Sequence, residues 1–237
     1  MISLLVVIAI SYLLGSIPSS IWVGKLVKNV DIRNFGSGNA GATNTFRLLG
    51  WKPGVAVLAI DFFKGFASSY WVSQLAYQIG SGPVSVIPNW EMDAFLMILC
   101  GVVAVVGHMY PVFARFDGGK GMATAAGMLT GIEPISVGIA AAVFVAVMLA
   151  SHYVSLASIT AAFIYPLMLV LLRYYFGWDI DGSILIFGAI LGLGIIVKHH
   201  GNIKRLIKGT ENRVSSFKPA KGWLNKEGKP QQQQTAS

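Results

Sequence analysis

Three polar stretches carry residue types and spacings that can do chemistry. The first is Gly36-Ser37-Gly38-Asn39-Ala40-Gly41-Ala42-Thr43-Asn44, followed by Arg47. Glycine reaches positive φ without steric cost, so successive backbone N–H groups in such a run can converge on an oxyanion such as phosphate. The stretch lacks the Gly-Lys-Ser/Thr ending of a nucleotide P-loop and follows no β-strand pattern, which argues against nucleotide hydrolysis. An ordinary glycine-rich connector is the plain alternative. The second stretch runs from Gly107-His108-Met109-Tyr110-Pro111 into Phe116-Asp117-Gly118-Gly119-Lys120-Gly121-Met122-Ala123-Thr124. A lysine between glycines at the start of a helix places an ammonium beside free backbone donors, which suits a phosphate monoester. The competing reading makes Lys120 a loop lysine that only sets topology, and His108 a residue that caps or bonds a neighbouring helix.

The third stretch is Lys198-His199-His200-Gly201-Asn202-Ile203-Lys204-Arg205-Leu206, ending near Gly209-Thr210-Glu211. His199 and Asn202, three apart, share a face if the helix continues, and the pair could orient a hydroxyl group. A metal reading of the two histidines is weak without an i, i+4 partner or a carboxylate pair. Lys204, Arg205 and Lys208 suit contact with anionic lipid. Asp61 and Lys64 stand at i, i+3 inside an apolar stretch, where unpaired charges are costly, so a mutual ion pair facing the interior is expected. Ser155 is either a polar contact or a helix cap.

These stretches must be positioned by a membrane protein. Of 237 residues, 54% are hydrophobic and only 12% charged. That is too little polar surface to close around a water-soluble core. The fold expected is all-α, with seven transmembrane helices. They run from about Ile2 to Gly24, Gly54 to Ala76, Ala94 to Phe113, Met122 to Gly131, Ile135 to Ala150, Ser155 to Leu172 and Ile184 to Val197. The fourth is too short to span alone, and its Gly and Ala content suits close packing or a half-buried helix. The first apolar run has no basic residue before it and no clear cleavage site after it, so it reads as a span and not a signal peptide. Residues 1–213 form one membrane-embedded domain, and 214–237 a polar tail expected to be disordered. Cys100, the single cysteine, lies in an apolar run and reads as packing.

Seven crossings put the loops around Lys25 to Lys52, Arg115 to Lys120, Ser151 to Val154 and the C-terminal tail on one side. Of the 18 Lys and Arg residues, only Arg173 then falls opposite, with Lys64 inside a span. The positive-inside rule makes the basic side cytoplasmic, with the N-terminus outside. The net charge of +8 flanks apolar segments, so it speaks for topology and phosphorylated ligands and not for nucleic acid.

The patterns Ser-Gly-Asn-x-Gly-Ala-Thr-Asn-x-x-Arg, Gly-Gly-Lys-Gly-x-Ala-Thr and His-x-x-Asn-Ile-x-Arg-Leu, in this order, resemble the bacterial acyl-phosphate:glycerol-3-phosphate acyltransferase family, the PlsY family. The resemblance extends to about Glu211. It implies a seven-helix enzyme of the bacterial inner membrane. That enzyme moves a fatty acyl chain from acyl-phosphate to the 1-hydroxyl of glycerol 3-phosphate at the cytoplasmic face, giving lysophosphatidate and phosphate in the first acylation of phospholipid synthesis. On this sequence, Gly36, Ser37, Gly38, Asn39, Gly41, Ala42, Thr43 and Asn44 would cradle the acyl-phosphate head while its tail lies in an apolar groove. Arg47, Lys120, Ser155, His199 and Asn202 would hold glycerol 3-phosphate, with Ser37, His199 and Asn202 closest to the reaction. No cofactor and no metal is implied. Membrane lipids, and other enzymes of phospholipid synthesis, are the partners the resemblance suggests. The chain departs from the family at His200-Gly201, where Arg-Glu is frequent, so any role of that glutamate does not transfer.

An acyl-phosphate is already activated, so alignment of the attacking hydroxyl and stabilisation of the departing phosphate are the main requirements. No serine–histidine–acid arrangement suggests a covalent acyl-enzyme. The donor phosphate is expected to take the proton, because His199 stands among the cations Lys198, Lys204 and Arg205, which disfavour another positive charge. A transporter for a phosphorylated metabolite is the main rival. It is disfavoured because no internal repeat is visible and the polar motifs lie at one membrane surface.

Overall fold

The computed structural model describes residues 2–79, 91–211 and 213, so the tail expected to be disordered lies outside the described residues. All regular structure among them is helical. In chain order the helices are α1 (Ile2–Gly15), α2 (Ser19–Lys28), α3 (Ala42–Leu49), α4 (Trp51–Ala67), α5 (Ser73–Gln78), α6 (Met92–Met109), α7 (Met122–Ile132), α8 (Pro134–Ser151), α9 (Val154–Tyr174), α10 (Gly182–Lys198) and α11 (His200–Ile207). A π-helical turn at Ser68–Val72 joins α4 and α5 into one rod. Helical rods stand at all seven expected places, but only five of them are long and apolar enough to cross a membrane. Bent by 54°, α10 and α11 make a sixth if counted together. The exception is α7, which has 11 residues. At that length it reaches only about 17 Å, well short of a hydrocarbon core of about 30 Å.

The first span departs from the uninterrupted helix expected over Ile2 to Gly24. It runs on to Lys28 and breaks between Gly15 and Ser19. Pro18 has no N–H to give to the helix and disfavours helical geometry at Ile17, so the ladder stops there. The freed Ile17 carbonyl accepts from Ser19 N–H at 3.0 Å and from Lys64 Nζ, also at 3.0 Å.

Helix ends sort the charges. At one end of the bundle Tyr77 bonds Asp93, Glu91 N–H donates to Asp181, and Arg173 donates to the Ile180 carbonyl. At the other end lie the loops following α2 and α6, the start of α9 and the end of α10. A small cluster of Ile21, Ile32, Ala40, Leu48 and Ala114 forms a core beneath the first two of these loops. The larger cluster of Ala94, Ala140, Tyr165, Leu169, Leu172, Ile180 and Ile184 ties α6, α8, α9 and α10 together nearer the opposite end. Short α7 is gripped by α4. A side chain at Gly65 would strike the Thr124 carbonyl, and one at Gly127 the Phe62 carbonyl. The two backbones therefore lie in direct contact, as small residues at a helix interface allow. Large apolar side chains such as Leu13, Trp22, Phe63, Leu149, Phe163, Ile190 and Leu193 point outward, as a bilayer-facing surface requires.

Candidate active site

Asn44 organises the first loop from within. Only 1% exposed, it donates through Nδ2 to the carbonyls of Ile32 (3.1 Å) and Phe35 (3.0 Å), while Oδ1 accepts the Ser37 N–H at 3.1 Å. Its amide is therefore committed to the loop's own backbone, and its part is to shape the site and not to present a free donor to a phosphate. Gly36 and Gly38, at φ +63° and +70°, make the turns that bring Ser37 out to solvent, with Gly38 beside it. Only glycine takes this left-handed backbone without steric cost. Gly41 then opens α3 without any side-chain cap, so the first N–H groups of Ala42, Thr43 and Asn44 face the loop at the positive end of the helix. Asn39 is half-buried. Thr43 and Arg47, one turn apart, share the exposed face of α3 opposite buried Thr45 and Leu48. Arg47 has no ion-pair partner among the described residues.

The second loop is packed directly on the first. A Cβ at Gly119 would collide with His108 Nε2 and with the Ala40 carbonyl, so no other residue fits there without displacing one of them. Arg33 locks the two together: it pairs with Asp31 at 2.7 Å and reaches across to the Ala114 carbonyl at 3.1 Å and the Asp117 carboxylate at 3.3 Å. Hydrogen bonding to Arg33 holds the Asp31 carboxyl below the usual carboxylate range and raises Arg33 in turn. Arg115 and Phe116 are held in the left-handed region, at φ 56° and 62°. This is a costly conformation for bulky residues, and the clamp helps to maintain it. Lys120 is exposed, and Gly121 opens α7 at φ +75° with no side-chain cap.

Beneath both loops lies a charged network. Lys64 Nζ stands 2.9 Å from Asp61 Oδ1, with both side chains 2% exposed, so the expected interior ion pair is present. The same carboxylate oxygen accepts from Ser19 Oγ at 2.7 Å and lies 3.4 Å from His108 Nδ1. His108 thus bonds a neighbouring helix, the plainer of the two roles its sequence position allowed. The pair also does something spacing alone did not show: it satisfies the chain break at Pro18.

The third stretch forms the bend between α10 and α11. His199 Nδ1 lies 2.8 Å from the Ile195 carbonyl. Because a carbonyl only accepts, the proton is on Nδ1 and the neutral ring presents Nε2 as an acceptor. Asn202 Nδ2 donates to Glu211 at 2.8 Å, and Arg205 pairs with the other oxygen of that carboxylate at 2.7 Å. The hydrogen bond from Asn202 is the chief reason that the Glu211 carboxyl lies below the usual range, followed by that from Arg205. Ser155 stands in the first turn of α9 with its hydroxyl buried and no hydrogen-bond partner among the described residues.

An apolar groove of about 400 Å³ runs from the second stretch to Ile195, one helical turn before His199. Its walls come from α7, α8, α9 and α10, with Val105 of α6. Lys120 and Gly121 stand at one side of its mouth, and Ile195, whose carbonyl holds His199, at another. Lys120 is the one charged residue in the lining. The structure therefore brings Ala40 of the first loop against Gly119 of the second, and Lys120 together with Ile195, to which His199 is bonded, around one groove. Arg47 is not drawn into contact with either. Reading by spacing passed over two residues, Arg33 and Glu211. Arg33 lies just ahead of the glycine run. Glu211 closes the third stretch as a carboxylate after three cations, a signal for an ion pair that carries no roles until Asn202 and Arg205 are seen on its two oxygens.

Comparisons with known proteins give the chain a family. The family model for glycerol-3-phosphate acyltransferase matches residues 5–209. A glycerol-3-phosphate acyltransferase of Salinibacter ruber is 50% identical, over 94% of this chain and 98% of its own length. One from Chlorobium limicola is 45% identical, over 91% and 98%. Crystal structures of PlsY (YgiH), an integral membrane glycerol 3-phosphate acyltransferase, superpose with a TM-score of 0.66 in the glycerol 3-phosphate form and 0.68 in the lysophosphatidic acid form. Both are 37% identical, covering 90% and 91% of this chain and 96% and 97% of theirs. A chain matched over nearly its whole length by the family model, by these relatives and by these structures is a member of the glycerol-3-phosphate acyltransferase family of integral membrane proteins.

Proposed function

We propose that the protein transfers a fatty acyl group from acyl-phosphate to the 1-hydroxyl of glycerol 3-phosphate at the cytoplasmic face of a bacterial inner membrane. The observation that carries this reading is the pairing of two glycine loops, packed on each other through Ala40 and Gly119, with an apolar groove whose one charged lining residue is Lys120. Such a site takes phosphate at the surface and hydrocarbon within. PlsY's two crystal forms, named for glycerol 3-phosphate and lysophosphatidic acid, agree with these as acceptor and product.

In this reading the uncapped start of α3, with Gly36, Ser37, Gly38, Asn39, Gly41, Ala42 and Thr43, holds the donor phosphate, and the acyl tail enters the groove. Asn44 shapes that loop. Arg47 and Lys120 bind the acceptor phosphate as charge-assisted donors. His199 Nε2 orients the acceptor through its 2-hydroxyl, which leaves the 1-hydroxyl oxygen aligned on the acyl carbonyl with its proton free; Ser155 offers its unpartnered hydroxyl to the same substrate, and Asn202, bonded to Glu211, holds the turn in place. The oxygen–carbon bond forms as the carbon–oxygen bond to phosphate breaks, and the hydroxyl proton passes to the departing phosphate. Seven helices cross or enter the bilayer with the N-terminus outside and the C-terminus cytoplasmic, α7 as a short helix leaning on α4.

Purified protein in detergent, given acyl-phosphate and labelled glycerol 3-phosphate, is expected to form lysophosphatidate, and to form none with acyl-coenzyme A or acyl-carrier protein. Product from either thioester, or no product from acyl-phosphate, overturns the proposal.

A further inference from the structure

The groove runs inward toward the buried cluster of α8, α9 and α10 that contains Ala140 and Tyr165. Following the helices inward from the mouth, α7 contributes Met122, Ala125 and then Leu129; α8 contributes Phe144, Ala141 and then Val137; α9 contributes Ser158, Ala161 and then Tyr165. Between Met122, Phe144 and Ser158 at the outer end and Leu129, Val137 and Tyr165 at the inner end, the walls given by α7, α8 and α9 are alanine. Tyr165, 5% exposed, belongs to the buried cluster with Ala140 and Leu169, against which Leu129 and Val137 also pack. Tyr165 is itself positioned from behind. A Cβ at Gly188 of α10 would stand 2.6 Å from Leu169 Cδ1 and 3.2 Å from Tyr165 Cε1, so the absence of a side chain there lets the ring lie back from the shaft. Gly188 does not line the groove.

We infer that Tyr165, backed by Gly188 and flanked by Leu129 and Val137, is the floor against which the end of the acyl chain is measured. The occupant is an unbranched acyl chain whose anionic head stays near Lys120. The inference rests on the reading of the groove as the donor's tail site. Each methylene that fits is desolvated by Ala- and Leu-lined walls, worth about fourfold in binding, and a methylene that meets the floor gains nothing.

The test is kcat/KM across a series of saturated acyl-phosphates of increasing length, for the wild type and four variants. Leu129→Ala and Tyr165→Ala should move the optimum to longer chains, and Gly188→Ala, which pushes the ring forward, to shorter ones. Tyr165→Phe keeps the ring and should leave the optimum where it is. The length ratio is read within each variant, so loss of folded protein does not imitate a shift. An unmoved optimum in Gly188→Ala and Leu129→Ala, or a shift in Tyr165→Phe as large as in Tyr165→Ala, overturns the inference while the transfer reaction stands. Wild-type protein inactive with every length overturns the reading beneath it instead.

Discussion

At the scale of single residues, the site separates groups that build it from groups left free to meet a ligand. Asn44 and Arg47 lie three apart on one short helix, yet the first is buried with its amide fully engaged and the second is exposed without an ion-pair partner among the described residues. Asn44→Ala abandons a backbone N–H and two carbonyls, each about 1–3 kcal/mol when left unsatisfied, so thermal stability in detergent and activity should fall together. Arg47→Ala should leave the melting temperature alone and raise KM for glycerol 3-phosphate about ten- to a hundredfold, as loss of a charge-assisted phosphate contact does. Arg33→Lys tests the clamp: one ammonium cannot reach Asp31, the Ala114 carbonyl and Asp117 together, and kcat/KM should drop at least about tenfold. The Glu211 contact has a defined acid limit. Its carboxyl lies lower in the folded chain than in the unfolded one. Its stabilising effect is therefore complete above the ordinary glutamate value of about 4.3 and is lost as pH falls through the lowered folded value. A stability profile measured from pH 7 downward should therefore show no loss from Glu211→Gln that grows between pH 7 and 5.

At the scale of elements, the legible and the hidden parts divide on a physical line. Apolar runs and their glycine and proline boundaries depend on local sequence, and the seven helical rods fall within a few residues of where hydropathy places them. The break at Pro18 was less visible because the run of apolar residues continues through it, and a single proline often only kinks a spanning helix. What satisfies that break comes from Lys64, 47 residues away, a pairing that no local pattern encodes. The interior position of the Asp61–Lys64 pair followed from the cost of charge in the bilayer. That Ser19 and His108 share it did not, since only the packing of α2, α4 and α6 brings them there. Asp61→Ala strands a buried cation, and a loss of about 3–5 kcal/mol is expected in a detergent unfolding assay. Removing both charges together as Asp61→Leu with Lys64→Met should cost less than the single change.

At the scale of the whole molecule, charge asymmetry and motif order sufficed to put the three polar stretches at one end, and the helix ends meet accordingly. The groove was expected only in outline. Its lining is drawn from five helices, so it is written in no contiguous segment, and the link from Lys120 to Ile195 appears only when α7 and α10 are seen facing the same space. The topology proposed for it can be probed directly, because the one native cysteine, Cys100, is fully buried and should label poorly. In intact cells, a cysteine introduced at Lys208 is expected to resist a membrane-impermeant reagent, and one introduced at Asp179 to react. The measurement that bears most directly on the central claim is the stoichiometry of the reaction in purified protein: inorganic phosphate released against lysophosphatidate formed, with and without glycerol 3-phosphate. Two phosphates held in one site predict a ratio of one, no phosphate release without the acceptor, and loss of both products together in Lys120→Ala. Steady phosphate release in the absence of glycerol 3-phosphate, or lysophosphatidate formed without phosphate, would contradict it.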